Sequence, residues 1–303
     1  MPVHPLSRHF EYFFGRVNPS TSFVDRASSE YNTVRGLIEN PLGPAAALAP
    51  QCFLQGSYGQ QTAIHTINDV DIVALCKLWQ PAAGGGGGVV WDRDRIFATI
   101  AAPLWADGRY RDKVRFGPTS MCVKLDLGIK LEILPVVFRQ GNGDPANEPF
   151  RLWRPEHDRW EDGYARLHRS WLSYKNAEAL TGGNFIPAIK VFKHLRSLYH
   201  LDAISFHLEC FLFRVLDAVY TGAPADYIPT LLRHIAGIAA ETWYLGGAVT
   251  PCGERNIFTV EEWAWPSWKI FHDWVKVWAT LATTAQQAWD RAVAIPGVAG
   301  AAR

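Results

Sequence analysis

Alternating hydrophobic and polar residues from Phe53 to Leu75 predict two β-strands that are joined by a tight turn. Gly56 and Ser57 form the predicted turn, and a polar connection follows it. The second strand, at 69–78, carries two carboxylates that are two residues apart, so both lie on one face. The hydrophobic residues between and after them face the opposite way, which predicts a buried sheet.

Two further runs, at 120–127 and 129–138, predict an antiparallel pair of strands with a tight turn near Gly128. Hydrophobic and polar residues alternate along the second run, and Glu132 falls on its polar face. Because proline has no backbone N–H, we expect Pro135 to end the regular pairing of this strand.

Positively charged residues alternate with other residues between positions 109 and 116, which predicts a strand with one basic face. The charged residues are Arg109, Arg111, Lys113 and Arg115. Such a face is typical of a solvated edge strand that resists pairing with another chain. It would also suit a contact with an activating nucleic acid or with a reaction product, and both interpretations stay open.

Hydrophobic residues recur at helical spacing over much of the remaining chain, above all from Arg151 onward. The predicted helices span residues 6–16, 20–39, 92–105, 156–180, 184–200, 204–220, 226–243, 259–264 and 267–291. Ser20 and Thr21 are candidate N-caps of the second helix. Residues 141–149 are rich in turn-forming residues, which favours a lobe boundary at this point.

These elements predict an α+β protein with two lobes. Residues 1–150 would form a lobe with a mixed β-sheet and N-terminal helices, and residues 151–303 would form a helical lobe. The hydrophobic fraction of 48% and the charged fraction of 19% are typical of soluble globular proteins. A net charge of +1 argues against a dominant electrostatic grip on long nucleic acid, although a local basic pocket for a small anion is compatible with it.

The five cysteines are scattered, and no two of them have the spacing of a zinc site or of a redox motif. A reducing compartment is the natural interpretation, because an odd number of buried thiols does not suit a disulfide framework. No hydrophobic run approaches the roughly 20 residues that span a bilayer, and the N-terminus lacks a signal-peptide core. We therefore expect no membrane partner and a cytoplasmic protein.

Asp69 and Asp71 form the most informative pair in the chain. Two adjacent carboxylates repel each other, so a fold does not place them together for stability. Divalent cations are the usual reason for this arrangement, and metal-assisted phosphoryl transfer is its usual use. A third carboxylate usually completes such a site; Glu132 is the favoured candidate, and Asp126 is the alternative. The turn at Gly56 and Ser57 would supply N–H groups and a hydroxyl to phosphate oxygens.

Gly56-Ser57, Asp69-Val-Asp71 and a later strand with the sequence LEILP together resemble the polymerase-β-type nucleotidyltransferase superfamily. Residues 188–209, AIKVFKHLRSLYHLDAISFHLE, further resemble the cyclic GMP–AMP synthase and its bacterial relatives. Those relatives are the CD-NTases (cGAS/DncV-like nucleotidyltransferases) of CBASS anti-phage signalling operons. The resemblance runs from about residue 20 to about residue 290, and it implies a bilobal fold whose helical lobe completes a nucleotide cleft.

The resemblance implies that Asp69 and Asp71 hold two Mg²⁺ ions, with Mn²⁺ as an alternative metal. Glu132 matches the third catalytic carboxylate, where many members of the family have Asp. A second set of residues matches positions that bind the nucleotide, and it comprises Gln55, Gly56, Ser57, Lys190, Lys193, Ser205 and Phe206.

Within this set, Gln55, Gly56 and Ser57 match the turn at the donor triphosphate. Lys193 and Ser205 match a lysine and a hydroxyl that contact the same phosphates, and Phe206 matches an aromatic residue on which a base stacks. The residues themselves leave simpler roles open. Each lysine would also suit a solvated helix face, Ser205 would suit a helix N-cap, and Phe206 would suit a hydrophobic core.

The implied function is Mg²⁺-dependent joining of nucleoside triphosphates into a cyclic di- or trinucleotide second messenger, with release of pyrophosphate. The substrates would be ATP, GTP or pyrimidine nucleoside triphosphates, and the product would act on a downstream effector in anti-phage defence. No Cys/His cluster matches the zinc insertion of the animal enzyme, so double-stranded DNA binding is not implied. The alternatives are a nucleotidyltransferase that makes linear oligonucleotides or modifies protein or RNA, and a non-catalytic nucleotide sensor.

Overall fold

The computed structural model describes residues 7–78, 91–117, 120–138 and 149–284. Eleven α-helices lie in these ranges: α1 Ser7–Val17, α2 Thr21–Ile38, α3 Gly56–Gly59, α4 Arg93–Ala106, α5 Ala165–Lys175, α6 Glu178–Thr181, α7 Phe185–Leu198, α8 Ser205–Arg214, α9 Pro224–Gly237, α10 Ala240–Leu245 and α11 Trp265–Thr284. The same ranges contain seven strands: β1 Gln51–Gln55, β2 Asp69–Cys76, β3 Val114–Arg115, β4 Val123–Asp126, β5 Lys130–Phe138, β6 Phe150–Arg154 and β7 Arg159–Gly163. Short 3₁₀ helices are found at Ala46–Leu48 and Asp217–Tyr220. The predicted α+β class with a mixed sheet is confirmed.

The strands form one sheet in the order β1-β2-β5-β4-β3, and β6 pairs with β5 and β7. Strands β2 and β5 are parallel, whereas the other pairs are antiparallel. The two parallel strands are hydrophobic over most of their length because both of their faces are covered near the centre of the sheet.

The two faces of the sheet carry different side chains. On one face, Val70 and Ile72 belong to a buried cluster that also contains Ala27 and Val34 of α2. On the other face, Val73 and Leu75 belong to a smaller buried cluster. Because side chains alternate along a strand, Asp69 and Asp71 lie on the face of the smaller cluster, away from α2.

The chain divides into two compact units. The sheet unit comprises residues Ser20–Gln60 and Thr66–Arg169, and the helical unit comprises Met1–Pro19, Gln61–His65 and Ser170–Arg303. The units therefore differ from the predicted lobes, because α1 and the short segment at 61–65 belong to the helical unit. In addition, β6 and β7 extend the sheet past residue 150.

Several predicted elements are found close to their expected positions. The stretch from Phe53 to Leu75 contains β1, the turn α3 and β2 in the predicted order. The side chain of Ser20 caps α2 by accepting a hydrogen bond from the Phe23 N–H at 3.2 Å. Gly128 lies in the turn between β4 and β5 with φ at +80°, a conformation that glycine adopts without strain.

The prediction of a helix at 156–180 is wrong in its first part. Residues 150–163 form the hairpin of β6 and β7, in which Trp153 and Trp160 are cross-strand partners. Asp158 adopts a φ of +50° in the connecting turn, and helix α5 begins only at Ala165. The helical periodicity was misleading because pairing with β5, a contact distant in sequence, determines this segment.

The prediction of a basic strand at 109–116 is also wrong for most of its length, since only Val114 and Arg115 form strand β3. Asp107 determines the local structure. Its carboxylate accepts a hydrogen bond from the Arg109 backbone N–H at 2.8 Å, and its carbonyl accepts from the N–H groups of Tyr110 and Arg111. This aspartate-centred turn replaces the extended conformation that the alternation predicted.

Strand β5 continues through Pro135 to Phe138 and pairs with β2 up to Val137, so the prediction that its regular pairing ends at Pro135 is wrong on this side of the strand. Strand β4 pairs with β5 only up to Ile133, and β6 begins to pair at Val136. On the side of β5 that faces β4 and β6, Pro135 therefore occupies an interval that neither of these two strands pairs, so its missing N–H costs no hydrogen bond with them. On the other side, Pro135 is in register with Ala74 of β2.

The helical unit has its own hydrophobic core, which α7, α8, α9 and α11 supply in large part. Among its largest buried side chains are those of Trp263, Trp268 and Trp278. The predicted helix at 259–264 is wrong, because these residues form bends before α11. The predicted helix at 267–291 corresponds to α11, and its last residues lie outside the described ranges. In the described part of the chain, the structure contains no helix with the length and hydrophobicity of a membrane span.

Candidate active site

Asp69 and Asp71 lie at the start of β2, where the strand is still partly exposed. Val70 and Ile72 alternate with them and are fully buried, so the hydrophobic cluster beneath the sheet fixes the direction of both carboxylates. The remainder of β2 is buried, which anchors this acidic end to the centre of the sheet.

Strand register places Glu132 of β5 directly beside Asp71, since the two residues are partners in the parallel ladder. The same row continues to Gln55 on one side, and to Lys124 and Arg115 on the other. Register partners project to the same face of a sheet. The row therefore brings together two of the predicted carboxylates, Asp71 and Glu132. The positively charged residues Lys124 and Arg115 follow them in the same row.

Lys124 forms an ion pair with Glu132, with 3.1 Å between Nζ and Oε1. The lysine side chain is 58% exposed and the glutamate side chain is 31% exposed. The hydrogen bond to Glu132 raises the pKa of Lys124 above its ordinary value. Cys122 is also close, and burial followed by the charge of Glu132 raises the pKa of this thiol to about 12.

The turn at Gly56 packs directly against Asp71. Gly56 adopts a φ of +62°, and a Cβ at this position would collide with the Asp71 carboxylate, whose Cγ would lie 2.6 Å away. Gly59, at the end of the same turn, has no room for a Cβ against the backbone of Leu54. Both glycines are therefore required by close approach, and they hold the turn beside the acidic strand.

Asp126, the alternative third carboxylate, lies in the row of Lys130 and Asp69. Lys130 separates it from Asp69, and its Oδ1 accepts a hydrogen bond from the Gly128 N–H at 3.1 Å. The structure thus gives Asp126 a role in the hairpin turn, and the position next to Asp71 belongs to Glu132.

The carboxylate oxygens on this face are suitable ligands for a divalent cation. Carboxylate oxygens are the ligands that Mg²⁺ and Mn²⁺ prefer, and Asp69, Asp71 and Glu132 share one partly exposed face. The close packing of Gly56 on Asp71 leaves no space there for a bulkier residue. Within the ranges described above, no three His, Cys, Asp or Glu side chains converge closely enough to hold a metal, and Glu132 points to Lys124 instead.

In the helical unit, Lys193 of α7 is almost completely buried, with 2% of its side chain exposed. Its Nζ donates hydrogen bonds to Thr62 Oγ1 at 2.7 Å and to Glu209 Oε1 at 2.8 Å. Thr62 in turn donates to the same glutamate oxygen at 2.7 Å. Lys193 is thus engaged by neutralising partners within its own unit, an arrangement that sequence reasoning did not predict.

The other predicted residues of the helical unit are more accessible. Lys190 donates a hydrogen bond to Asn18 Oδ1 at 2.7 Å, and burial followed by the nearby charge of Lys193 lowers its pKa. Ser205 is the first residue of α8, whose N-cap is Ile204. Phe206 is partly buried against the helical core, and the Arg255 guanidinium lies 5.3 Å from its ring centre.

Sequence reasoning missed Lys124, Thr62 and Glu209. For Lys124, the available signal is the alternation of polar Lys124 and Asp126 with buried Val123 and Leu125, and register with Glu132 supplies the rest. For Thr62 and Glu209 no local signal existed, because they approach Lys193 from positions 131 and 16 residues away.

Comparison with known proteins identifies the family. The profile of the Second Messenger Oligonucleotide or Dinucleotide Synthetase domain, SMODS, matches residues 5–176. The cyclic UMP-AMP synthase of Rhodothermus marinus is 24% identical over 225 residues, which are 66% of this chain and 74% of that protein.

Solved structures support the fold. The structure of the Rhodothermus marinus CdnE c-UMP-AMP synthase with Apcpp and Upnpp has a TM-score of 0.68 and 19% identity, and the match covers 94% of this chain and 99% of that one. The Bradyrhizobium diazoefficiens CD-NTase CdnG in complex with GTP has a TM-score of 0.70 and 15% identity, over 96% and 95% of the two chains.

The predicted bilobal CD-NTase fold and the prediction of an enzyme that synthesises cyclic oligonucleotides are both confirmed. The alternative of a non-catalytic sensor is thereby removed. The family profile covers more than half of the chain, and it includes the turn at Gly56 and the strands with Asp69, Asp71 and Glu132. The chain belongs to the family of second messenger oligonucleotide or dinucleotide synthetases.

Proposed function

We propose that Asp69, Asp71 and Glu132 carry the transfer reaction, in which nucleoside triphosphates are joined into a cyclic di- or trinucleotide and pyrophosphate is released. The observation that carries this proposal is the register of β2 and β5, which makes Asp71 and Glu132 neighbours on the face that also bears Asp69. Three acidic side chains on one sheet face have no stabilising role by themselves, since like charges repel.

Members of this family use divalent metal ions, and we propose Mg²⁺, in two copies, as the physiological cofactor. When bound, the cations would neutralise phosphate oxygens and lower the pKa of the ribose hydroxyl that attacks the α-phosphate. Asp69, Asp71 and Glu132 would provide the carboxylate ligands.

The residues of the chain itself have three tasks on this face. The carboxylates would hold the cations, whose positive charge would stabilise the negative charge that develops on the phosphate oxygens. Gly56, without a Cβ, lets the backbone of the turn lie against Asp71, where its neighbours Gln55 and Ser57 would contact phosphate oxygens. Lys124 neutralises Glu132 and would shift to phosphate oxygens when a triphosphate is present.

For the helical unit, we propose that Lys190, Ser205 and Phe206 contact the nucleotide. Lys190 keeps partial exposure, and within the described ranges its ammonium donates a hydrogen bond to a neutral amide alone, which suits a residue that exchanges partners. Lys193 differs, because its buried pair with Glu209 must first be broken for it to reach a phosphate. We propose that Lys193 maintains the local structure around Thr62.

The relative that synthesises cyclic UMP-AMP makes ATP with UTP the first substrate pair to test. Use of the cyclic product by an effector in anti-phage defence, and a cytoplasmic location, remain predictions from the family resemblance. The chemistry of the site does not bear on these two predictions, and their test requires phage infection and localisation experiments in cells that carry the complete operon.

Product identification tests the proposal. The protein would be incubated with Mg²⁺ and all four nucleoside triphosphates, singly and in pairs, and the products would be treated with alkaline phosphatase before mass spectrometry. We expect a phosphatase-resistant product with the mass of a cyclic di- or trinucleotide. Products that lose terminal phosphates would instead indicate a linear oligonucleotide synthase, and transfer to protein or RNA without a free product would contradict the proposal.

A further inference from the structure

A polar hollow lies on the opposite side of the sheet unit from the acidic residues. It has a volume of about 320 Å³, and it is lined by Arg26, Ser29, Glu30, Thr33, Arg109, Tyr110, Lys113 and Leu127. Helix α2 supplies the first four of these residues, and the turn after α4 supplies the next three. Since α2 packs on the face of Val70 and Ile72, the hollow lies across the sheet from Asp69 and Asp71.

The wall of the hollow is held in place by side-chain contacts on each side. The hydroxyl of Tyr110, a residue that is only 2% exposed, donates a hydrogen bond to Glu30 Oε2 at 2.9 Å. Arg109 donates to the two carboxylate oxygens of Asp107 at 3.0 and 2.7 Å. Arg26 donates to the Leu127 carbonyl, and its guanidinium packs against Gly128, where a Cβ would approach to 3.2 Å.

The charge of the lining favours an anion. The lining contains three cations, Arg26, Arg109 and Lys113, and one carboxylate, that of Glu30, which accepts the Tyr110 hydroxyl. Asp107, behind the lining, pairs with Arg109, so the two remaining cations face the single charge of Glu30. The Lys113 ammonium forms no hydrogen bond or ion pair with any residue in the described ranges. The lining therefore offers an uncompensated lysine, two arginines held in fixed positions and the hydroxyls of Ser29 and Thr33.

The size and polarity of the hollow restrict the occupant further. Its volume is at the lower end of the roughly 300–1,000 Å³ that is typical of small-molecule sites, and it is too small for a docked protein element. Among the described residues of the lining, Leu127 alone is aliphatic, so a hydrophobic ligand is not favoured. Arginine forks, an ammonium group and hydroxyls are the donors that bind phosphate oxygens.

We propose that this hollow is a second anion site, which binds a small phosphorylated molecule on the side of the sheet away from the carboxylates. Two sources share this chemistry: a free polyphosphate such as pyrophosphate, and the diphosphate group of a nucleotide. Lys113 is the residue whose charge the ligand would neutralise, and the arginines would orient the phosphate. Most of the basic residues that were predicted to form a strand thus lie in a turn, and Arg109 and Lys113 of this turn line the hollow.

The test is titration calorimetry of the full chain in EDTA, with inorganic pyrophosphate in one arm and ADP in the other. The variants are Lys113→Gln, the neighbouring Arg111→Gln as a matched control outside the lining, and Asp69→Asn with Asp71→Asn. We expect binding of at least one probe to the wild-type chain, and a roughly tenfold loss of affinity in Lys113→Gln, as for one lost charge-assisted hydrogen bond. Arg111→Gln and the aspartate variant should bind within twofold of wild type.

The two arms identify the source. Equal affinities for both probes would indicate recognition of the phosphates alone, whereas tighter ADP binding would indicate a nucleotide, and both outcomes support the site. Unchanged affinity in Lys113→Gln, or loss of binding in the aspartate variant, would overturn the proposal. A third arm uses a short DNA duplex: binding that is lost in Lys113→Gln, by a chain that binds neither small probe, would also overturn the proposal.

Discussion

Gly56 and Asp71 are packed so closely that a side chain at position 56 would overlap the Asp71 carboxylate. The turn and the acidic strand are therefore one rigid arrangement, in which the identity of residue 56 fixes the position of the carboxylate. The contact joins the short turn α3 to strand β2. We therefore expect the position of the Asp71 carboxylate to be sensitive to substitution of Gly56.

Gly56→Ala should slow product formation by roughly 100-fold while the sheet unit stays folded. The added Cβ displaces the Asp71 carboxylate, and a displacement of about 1 Å in a catalytic group costs roughly 100-fold in rate. Gly36→Ala is the matched control, because a Cβ at position 36 of α2 meets nothing within 4 Å. Pyrophosphate release and urea unfolding would be measured for both. Full activity of Gly56→Ala would show that the packing is irrelevant to the reaction.

Lys124→Met should strengthen binding of Mn²⁺ to the nucleotide-free protein by roughly fivefold, because removal of the ion pair frees Glu132 at a gain of about 1 kcal/mol. Lys124→Arg keeps a positive charge beside Glu132 and should bind Mn²⁺ like the wild type. Electron paramagnetic resonance of free Mn²⁺ measures this directly, without any need for catalysis. Weaker Mn²⁺ binding in Lys124→Met would contradict the proposed competition.

Lys193→Met should lower the free energy of unfolding of the helical unit by about 3 kcal/mol, because it leaves the buried Glu209 carboxylate without its partner. The double variant Lys193→Met with Glu209→Leu should recover most of this loss, since both buried charges are then removed. Tryptophan fluorescence follows the transition, because Trp263, Trp268 and Trp278 lie in the core of this unit. If Lys193→Met unfolds like the wild type but has a raised KM for nucleotide, the lysine acts on phosphate instead.

The helical unit should lose stability as the pH falls from 7 to 5. Burial lowers the pKa of both His207 and His272 below the ordinary value of 6.5, and the partner Glu262 of His207 offsets this only in part. The unfolded chain therefore takes up protons first, so stability falls as the pH passes through 6.5 and levels off below the folded-state values. His272→Gln should reduce the slope of unfolding free energy against pH in this window. An unchanged slope in both His207→Gln and His272→Gln would contradict the assignment.

The acidic face was predictable from sequence because strand alternation is local: Val70 and Ile72 fix the direction of Asp69 and Asp71. Alternation along the strand at 129–138 also favoured Glu132 over Asp126. That Glu132 lies directly beside Asp71 required the register of β2 and β5, which the hydrophobic pattern does not specify. Pairing with the sheet also explains why residues 150–163 form a hairpin, although their hydrophobic periodicity is helical.

The network at Lys193 was beyond sequence reasoning for a different reason. A lysine three residues after Lys190 has the spacing of a solvated or ligand-binding helix face, and nothing near it in sequence shows that Thr62 and Glu209 enclose it. Tertiary contacts between distant positions therefore decided its burial and its partners.

Pyrophosphate release by carboxylate variants is the most direct test of the central claim that Asp69, Asp71 and Glu132 carry the reaction. The wild-type chain, Asp69→Asn with Asp71→Asn, Glu132→Gln and the control Asp126→Asn would be assayed with Mg²⁺ and nucleoside triphosphates, after circular dichroism has verified folding. We predict no detectable release from the double variant, at least a 100-fold loss in Glu132→Gln, and near wild-type release from Asp126→Asn, whose Oδ1 still caps the Gly128 turn. Release by the folded double variant at the wild-type rate would contradict the account.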